Sequence, residues 1–384
     1  MTASSARQRR AEFSEMSARS SPVRLLENSL GVYSPTGEEG ELASYLADEM
    51  KLFGYSRVRV DRAGNVLGES GSGEIRLLLC GHMDTVPGKL VVRKTRDALF
   101  GRGAADAKSP LCALLVAGAE AAVPGVSVTF AAVTEEEGDG AGIEQLMKSG
   151  RKFDYAVFGE PAGADRMTIG YRGRVGLKVK IQTAGGHAGS PWAHSSAFDE
   201  FSAMMTRLKR YELSNSVEGD HFRSLSLTPT VVTAGSYQNV VPALCEATLD
   251  LRLPPSVHSS VAVREVRALA EMAGEGVKVK LTAGPPTEAY EADAGSTLVR
   301  AFQRAIIMGL NSKPKLVRKT GTGDMNTFAH KGGAQCITYG PGLSATSHTD
   351  GETVQIKDYL NSIGVVKEAI AQLAKLDSAG PARP

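Results

Sequence analysis

Three continuous apolar runs in the first half of the chain constrain its fold more than any other feature. They are EIRLLLCG, VSVTFAAV and DYAVFGEP, and each is bounded by glycine, proline or charged residues. Runs that are apolar on both faces suit the buried strands of a mostly parallel sheet. Helical stretches lie between them, notably at 109–121 and around 143–147. This alternation predicts an α/β layer fold.

Strands that alternate apolar and polar residues predict a second sheet from about Tyr171 onward. RVGLKVKIQ, LTPTVVTA, CEATLDLRL and VKVKLTA show this alternation, so one face of their sheet should meet water. Helical segments follow the first and third of these strands, which gives the βαββαβ order of a ferredoxin-like unit. We therefore expect a domain at 171–286 inserted into a domain formed by 21–170 and 287–384, after a loose extension at 1–20.

The composition of the chain indicates which binding partners and which cellular compartment to expect. The charged fraction is 22% and the net charge is +2, so no global basic excess indicates nucleic acid as the main partner. No stretch approaches the length of a membrane span, and the N-terminus lacks the apolar segment of a secretory signal. The four cysteines lie far apart, without a Cys-x-x-Cys pair, and are expected to be reduced core thiols. These features predict a cytoplasmic protein with no membrane partner.

His82 and Asp84, in GHMDTVP, mark the first candidate site. They follow the apolar run LLLCG directly, and ligands of open α/β sheets bind at the carboxyl ends of strands. Residues two apart on an extended segment point the same way, so Asp84 can accept one imidazole N–H while the other ring nitrogen faces a metal. A solvated histidine in a tight loop would give the same short pattern.

Four further segments place acidic or imidazole groups after apolar strands or in loops before helices. They contain Asp106 in GRGAADAK, the run 135–137 after VTFAAV, Glu160 in FGEP and His348 in SHTD. Asp106 alone could cap a helix, and the acidic run alone could be a solvated loop. Five such segments together favour a metal site. Histidines and carboxylates without thiolates suit zinc, with cobalt or manganese as substitutes.

These motifs together resemble the di-zinc metallopeptidases, a family that includes acetylornithine deacetylase, succinyl-diaminopimelate desuccinylase, carboxypeptidase G and the aminoacylases. GHMDTVPG, GRGAADAK, the Glu-Glu pair, GEP, GGHAGSP and SHTDGE occur in the family's order over nearly the whole chain. The resemblance implies hydrolysis of a linear amide by a catalytic domain. It also implies an inserted ferredoxin-like lid that serves dimerisation, and hence a homodimer.

Metal-binding roles follow from this resemblance. It implies two zinc ions per subunit, which cobalt can replace. His82 and Glu160 would bind one ion. Glu137 and His348 would bind the other, and Asp106 would bridge the pair.

The family's Asp-Glu-Glu motif implies the position of the general base. Alignment through Gly142 makes Glu136 the base and Glu137 the ligand. A shift by one residue, with Glu135 as the base and Glu136 as the ligand, is an alternative because the tripled glutamate blurs the register. In both registers, Asp84 would orient His82.

The second domain also carries residues that match the family's motifs. His187, in GGHAGSP, resembles the lid histidine that stabilises the developing oxyanion, in dimeric members at the neighbouring subunit's site. Asn239 and Arg252 resemble contacts to the oxyanion and to a substrate carboxylate, a group that arginine binds in bidentate fashion. An exposed strand arginine is an alternative account of Arg252.

The stretch KTGTGDMN, with YGPG and SHTDGE, is similar to the hydrolases of lysine and arginine biosynthesis within this family. These release lysine or ornithine from the γ-carboxyl of a glutamate on a small acidic amino-group carrier protein. By this resemblance, Gly321, Thr322 and Gly323 would line the substrate, and Asp324 would contact its amino group or cap a helix. The alternative is a deacetylase or desuccinylase of a small free N-acyl amino acid, such as N-acetylornithine, N-acetyl-lysine or succinyl-diaminopimelate.

Overall fold

The structure is a computed structural model that describes residues 21–121 and 123–378, so the predicted extension at 1–20 lies outside it. Two compact units can be distinguished. The second unit comprises Gly170–Glu291 and Arg318–His330, and the first comprises the remaining described residues. The predicted boundaries place 318–330 in the first domain and therefore differ from this division.

The chain alternates strands and helices along most of its length. The strands are β1 (Ser56–Val60), β2 (Val66–Gly71), β3 (Ile75–His82), β4 (Arg93–Lys94), β5 (Ala98–Phe100), β6 (Val126–Val133), β7 (Tyr155–Gly159), β8 (Arg166–Tyr171), β9 (Gly173–Gln182), β10 (Gly186–His187), β11 (Ser226–Ala234), β12 (Val240–Val241), β13 (Leu244–Leu253), β14 (Lys278–Ala283), β15 (Tyr290–Glu291), β16 (Lys315–Lys319), β17 (Gln335–Tyr339) and β18 (Thr353–Gln355). The α-helices are α1 (Pro22–Gly31), α2 (Gly40–Leu52), α3 (Lys108–Glu120), α4 (Ala141–Lys148), α5 (Ala197–Ser214), α6 (Ser259–Ala270), α7 (Thr297–Leu310), α8 (Asp324–Gly332) and α9 (Ile356–Ser378).

A mixed sheet forms the centre of the first unit. Its strand order is β1-β2-β6-β3-β7-β17-β8. The four strands β6, β3, β7 and β17 are parallel, whereas β2 and β8 join them antiparallel on either side. The three apolar runs of the sequence are β3, β6 and β7, and they are buried over most of their length. The α/β prediction is confirmed, with parallel pairing confined to the central strands.

The helices of the first unit cover this sheet. α3 is apolar over almost its whole circumference and is buried from Lys108 to Gly118, as expected of a helix between other layers. It contacts α9, β3 and α1. Because α3 begins directly after the segment that carries Asp106, its burial fixes the position of that loop.

The second unit has a four-stranded antiparallel sheet in the order β11-β13-β9-β14. With α5 and α6 between its strands, this is the βαββαβ order. One face of the sheet packs on these helices through a core that includes Val175, Leu177, Phe201 and Val266. The alternation of buried and exposed residues along β9 leaves the other face open to water.

Two further predictions concern the thiols and the membrane. All four cysteines are buried and none forms a disulfide, as predicted. Within the described residues, every helix is too short or too polar to span a bilayer.

Candidate metal centre

His82 and Asp84 lie at the carboxyl end of β3, with both side chains buried. Nδ1 of His82 lies 2.9 Å from the backbone oxygen of Asp84 and 3.3 Å from its carboxylate. Nε2 is 3.5 Å from Oδ1 of Asp106, longer than a good hydrogen bond, and has no hydrogen-bond partner among the described residues. The imidazole is therefore held through Nδ1 and presents Nε2 toward acidic side chains.

The Asp84 carboxylate also holds the acidic loop that follows β6. It accepts hydrogen bonds from the backbone N–H groups of Glu136 and Glu137, both at 3.0 Å, and from the hydroxyl of Thr36 at 2.9 Å. Burial alone would raise the pKa of Asp84, but His82 and these donors lower it below its usual value. Asp84 is therefore an anion that orients both an imidazole and a loop.

Five side chains form what we call the His82–His348 cluster: His82, Asp106, Glu136, Glu137 and His348. Ligand atoms of His82, Glu136 and Glu137 lie within 4.8 Å of one another, and so do those of Asp106, Glu137 and His348. Nε2 of His348 lies 2.6 Å from Oε1 of Glu137 and 3.4 Å from Oδ2 of Asp106. Glu137 joins the two groups into one.

The electrostatics of the cluster fit a bound cation. Burial and Asp106 raise the pKa of Glu137, although the two histidines oppose them. Burial would lower the pKa of His82, but Asp106, Asp84 and Glu136 raise it well above its usual value. The site therefore disfavours the ionised form of Glu137 and favours the protonated, positively charged form of His82. A divalent cation bound by nitrogen and oxygen would supply the positive charge that this site favours.

Glu352 positions the loop that carries Asp106, a role that the sequence analysis missed. Its buried carboxylate accepts hydrogen bonds from the N–H groups of Ala105 at 3.0 Å and Asp106 at 2.9 Å. Its other oxygen accepts from Nη1 of Arg102 at 2.8 Å. The same Nη1 donates to the backbone oxygen of Thr349, next to His348. One buried ion pair thus supports both loops. In the sequence, this role of Glu352 is indicated only by its position at the end of SHTDGE.

Glu160 and Glu135 lie outside both ligand groups. Glu160 directly follows β7, where Phe158 pairs with Cys80 of β3, so Glu160 lies two residues beyond this pair just as His82 does. The N–H of Glu135 donates to Oε1 of Glu39, and its backbone oxygen accepts from two glycine N–H groups of the loop. The backbone of Glu135 thus helps to shape the loop, while the next two residues reach the cluster.

His187 and Asn239 are neighbours in the second unit. His187 lies on β10, which pairs with β12 so that His187 is opposite Val240. The N–H of Ala188 donates to the backbone oxygen of Asn239 at 3.0 Å. His187, predicted to stabilise the oxyanion, and Asn239, predicted to bind the substrate, thus lie at one small antiparallel ribbon.

Arg252 and the loop 321–323 meet elsewhere in the second unit. Nε of Arg252 donates to Asp250 at 2.8 Å, and Nη1 donates to the Thr322 hydroxyl at 3.4 Å. The side-chain oxygen of Asn326 accepts from the Gly323 N–H at 3.1 Å, and Asn326 is fully buried. Asp324 is the first residue of α8. Arg252 is therefore fixed by Asp250 and reaches the loop expected to line the substrate.

Comparisons with known proteins found a matching family model and similar proteins over nearly the whole chain. The family model for "Peptidase family M20/M25/M40" matches residues 78–372. A proposed [LysW]-lysine/[LysW]-ornithine hydrolase of Pyrobaculum aerophilum is 36% identical, over 91% of this chain and 96% of its own. The [LysW]-lysine/[LysW]-ornithine hydrolase of Sulfurisphaera tokodaii is 31% identical, over 94% and 97%. The [LysW]-lysine hydrolase of Deinococcus radiodurans is 32% identical, over 91% and 96%.

Solved structures share the fold at lower identity. A tripeptidase from Staphylococcus aureus matches 92% of this chain and 98% of its own with a TM-score of 0.77 and 19% identity. An M20 family metallo-carboxypeptidase from Sulfolobus solfataricus matches 92% and 99% with a TM-score of 0.76 and 18% identity. At these identities the likeness establishes the architecture alone.

Proposed function

Because the chain belongs to peptidase family M20/M25/M40, we propose that it is a metal-dependent amide hydrolase that releases lysine, ornithine or both from an amino-group carrier protein. The observation that carries the chemistry is the His82–His348 cluster, in which Glu136 lies among imidazoles and carboxylates suited to a metal. The substrate follows from relatives over nearly the full chain that are named [LysW]-lysine and [LysW]-ornithine hydrolases. In this proposal the enzyme acts in the cytoplasm, in lysine and arginine biosynthesis.

Two zinc ions, which cobalt can replace, are the proposed cofactor. His82 and Glu160 would hold one ion, and Glu137 and His348 the other, with Asp106 shared. The mixed nitrogen and oxygen donors, without thiolate, support zinc or a similar divalent ion. When bound, such ions polarise the scissile carbonyl and lower the pKa of water.

Glu136 is the proposed general base. It takes a proton from the attacking water and gives it to the amide nitrogen as the C–N bond breaks, so that this nitrogen leaves as a neutral amine. Glu137, and not Glu136, shares a ligand group with Asp106 and His348, and Glu135 lies outside both groups, which supports this register over the alternative. Asp84 holds the Glu136 N–H at 3.0 Å and thus fixes the base relative to His82.

Residues of the second unit are proposed to bind the substrate. Arg252, oriented by Asp250, is suited to a substrate carboxylate, and the loop 321–323 would line the same place. His187 would stabilise the developing oxyanion, with Asn239 beside it on the same ribbon. In this role the second unit acts as a lid.

A product assay tests the function directly. The zinc-loaded protein would be incubated with carrier-linked lysine, carrier-linked ornithine, N-acetyl-lysine, N-acetylornithine and succinyl-diaminopimelate, and released amino acids measured by mass spectrometry. We expect release from the carrier-linked substrates, abolished by a strong chelator and restored by zinc or cobalt. Release from only the small acylated substrates would favour the deacetylase or desuccinylase alternative. No release from any of them would refute the proposal.

The second unit is also proposed to join two chains into a homodimer. Among the described strands, β11 pairs only with β13, so its other edge is open. Val231 and Val232 on this strand are 58% and 42% exposed. A long edge strand with exposed apolar residues is suited to pairing with another chain. Val231→Lys combined with Val232→Glu should convert the dimer to a monomer in analytical ultracentrifugation, and a monomeric parent protein would contradict the proposal.

A further inference from the structure

The open face of the second unit's sheet is strongly basic. The buried residues of β9, Val175, Leu177 and Val179 among them, belong to the core that packs on α5 and α6. Because side chains alternate along a strand, the residues between them project from the opposite face. We call five cations of β9 and β14 on this opposite face the lysine face: Arg174, Lys178, Lys180, Lys278 and Lys280.

The side chains of the lysine face are accessible to water. Lys178, Lys278 and Lys280 are exposed, and Lys180 is half-buried. On the same two strands, Leu177 is fully buried and Leu281 is largely buried on the helix side. The cations therefore meet solvent and any partner that approaches this face.

Like charges lie directly opposite each other on this face. Lys280 of β14 pairs in register with Lys180 of β9, and the next open-face pair joins Thr282 to Lys178. Like charges at directly opposed positions destabilise a sheet. Lys180 is partly compensated by Glu246 of β13, whose carboxylate lies 2.9 Å from its Nζ. The sheet therefore holds an unfavourable pair that one carboxylate relieves only in part.

The remaining acids do not balance the lysine face. Asp250 already binds Arg174 at 2.7 Å and Arg252 at 2.8 Å. Within the described part of the chain, no carboxylate lies within ion-pair distance of Lys178, Lys278 or Lys280. A shallow cavity of about 440 Å³ is lined by β9, β11, β13 and β14, with Lys178, Lys180 and Lys280 among its walls and Glu246 as its one carboxylate. This surface has the charge and the concavity to receive an anionic group.

Protection against edge-to-edge aggregation accounts for only some of these lysines. Natural sheets place lysine on edge strands for that purpose. Lys278 and Lys280 lie on the edge strand β14, but Lys178 and Lys180 lie on the interior strand β9. The other edge strand, β11, carries exposed valines. The positive charge thus extends from the edge strand β14 onto the interior strand β9, and edge protection does not explain the lysines of β9.

We propose that the lysine face binds an acidic polypeptide segment. Resting on the proposed function, this segment belongs to the carrier protein whose linked amino acid is released. Arg252 lies on the same open face of β13, in register with Arg174 of β9. From Lys180 to Arg174 the strand covers roughly 20 Å, enough for a small docked protein to contact the lysines while its linked residue approaches Arg252.

A kinetic comparison of two substrates tests this docking surface. Lys178→Glu/Lys280→Glu would be assayed with carrier-linked lysine and with the free dipeptide γ-glutamyl-lysine, which lacks the carrier surface. We expect KM for the carrier-linked substrate to rise roughly tenfold with kcat unchanged, because two attractive charges become repulsive. The constants for the dipeptide should stay unchanged. Added salt should raise KM for the carrier-linked substrate of the parent protein and affect the double variant less.

The matched control is Arg210→Glu/Arg264→Glu, which makes the same charge change on α5 and α6, the helices that cover the other face of the sheet. This control should keep the parent's KM for both substrates. An unchanged KM in the lysine-face variant, an equal loss for both substrates, or an equal rise in the control would each overturn the docking proposal.

An error in the proposed function would give a different result from an error in the docking proposal. If the parent protein releases no lysine from the carrier, the function is wrong, and the lysine face is then tested by direct binding of a poly-glutamate peptide. Weaker binding by the lysine-face variant, with the control variant unaffected, would support an acidic partner. Equal peptide binding by all three proteins would refute it, as would equally tight binding of a single-stranded oligonucleotide to the parent, which would mark a general polyanion surface.

Discussion

Replacing Glu352 by glutamine should destabilise the metal-free protein by about 3 kcal/mol, although residue 352 lies outside the ligand cluster. Its carboxylate is fully buried and accepts hydrogen bonds from two backbone N–H groups and from Arg102. Removing one partner of a buried ion pair typically costs about 3–5 kcal/mol, because the other charge stays buried without compensation. Glutamine keeps one acceptor oxygen and almost the same shape, which places the expected loss near the lower end.

The assay is urea unfolding of the metal-free protein, followed by circular dichroism. Glu144→Gln is the matched control, since Glu144 forms an exposed ion pair with Lys148 at 3.7 Å and its loss should cost less than about 1 kcal/mol. In a double-mutant cycle with Arg102→Met, the two losses should not add, because each variant breaks the same pair. A loss below about 1 kcal/mol for Glu352→Gln, or strict additivity, would show that the buried pair does not support the Asp106 loop.

Three further predictions concern the cluster and its support. Glu136→Gln should keep its metal content, measured by elemental analysis, while kcat falls by roughly 10²–10⁴-fold. Undiminished turnover would show that another residue is the base, with Glu135 as the first candidate. Asp84→Asn should weaken metal binding by about 10–100-fold in competition with a fluorescent chelator, because His82 loses its carboxylate partner; equal affinity would contradict that role. The pKa of Asp84 is lowered in the folded state, so its stabilisation is present above the unfolded pKa of about 3.9 and is lost as pH falls through the folded value. Asp84→Asn should therefore show a shallower acid decline of the unfolding free energy of the metal-free protein, and parallel declines would contradict the sign.

Local patterns were enough to predict the central strands and the βαββαβ order. β6 coincides with the apolar run VSVTFAAV, and β9 has the alternating burial expected of a half-solvated strand. The candidate ligands were also predictable, because each follows an apolar strand or precedes a helix in its own local sequence. His82 at the end of β3 and Glu160 directly after β7 lie at matching positions of two neighbouring strands.

Contacts between distant segments could not be read from local patterns. The register of the tripled glutamate depends on Asp84, which accepts from the N–H groups of the second and third glutamates from some fifty residues away. Glu352 looks like any polar residue in a loop, yet it is buried because Arg102 and two N–H groups meet it. The grouping of 318–330 with the second unit depends on Asn326, whose amide donates to backbone oxygens of Arg172 and Glu288.

Anomalous diffraction at the zinc edge, from crystals of the zinc-loaded enzyme, would show whether distant segments of one chain together bind two metal ions. We expect two zinc peaks in the His82–His348 cluster, both in contact with the Asp106 carboxylate. A single peak there, or zinc bound elsewhere in a fully active protein, would contradict it.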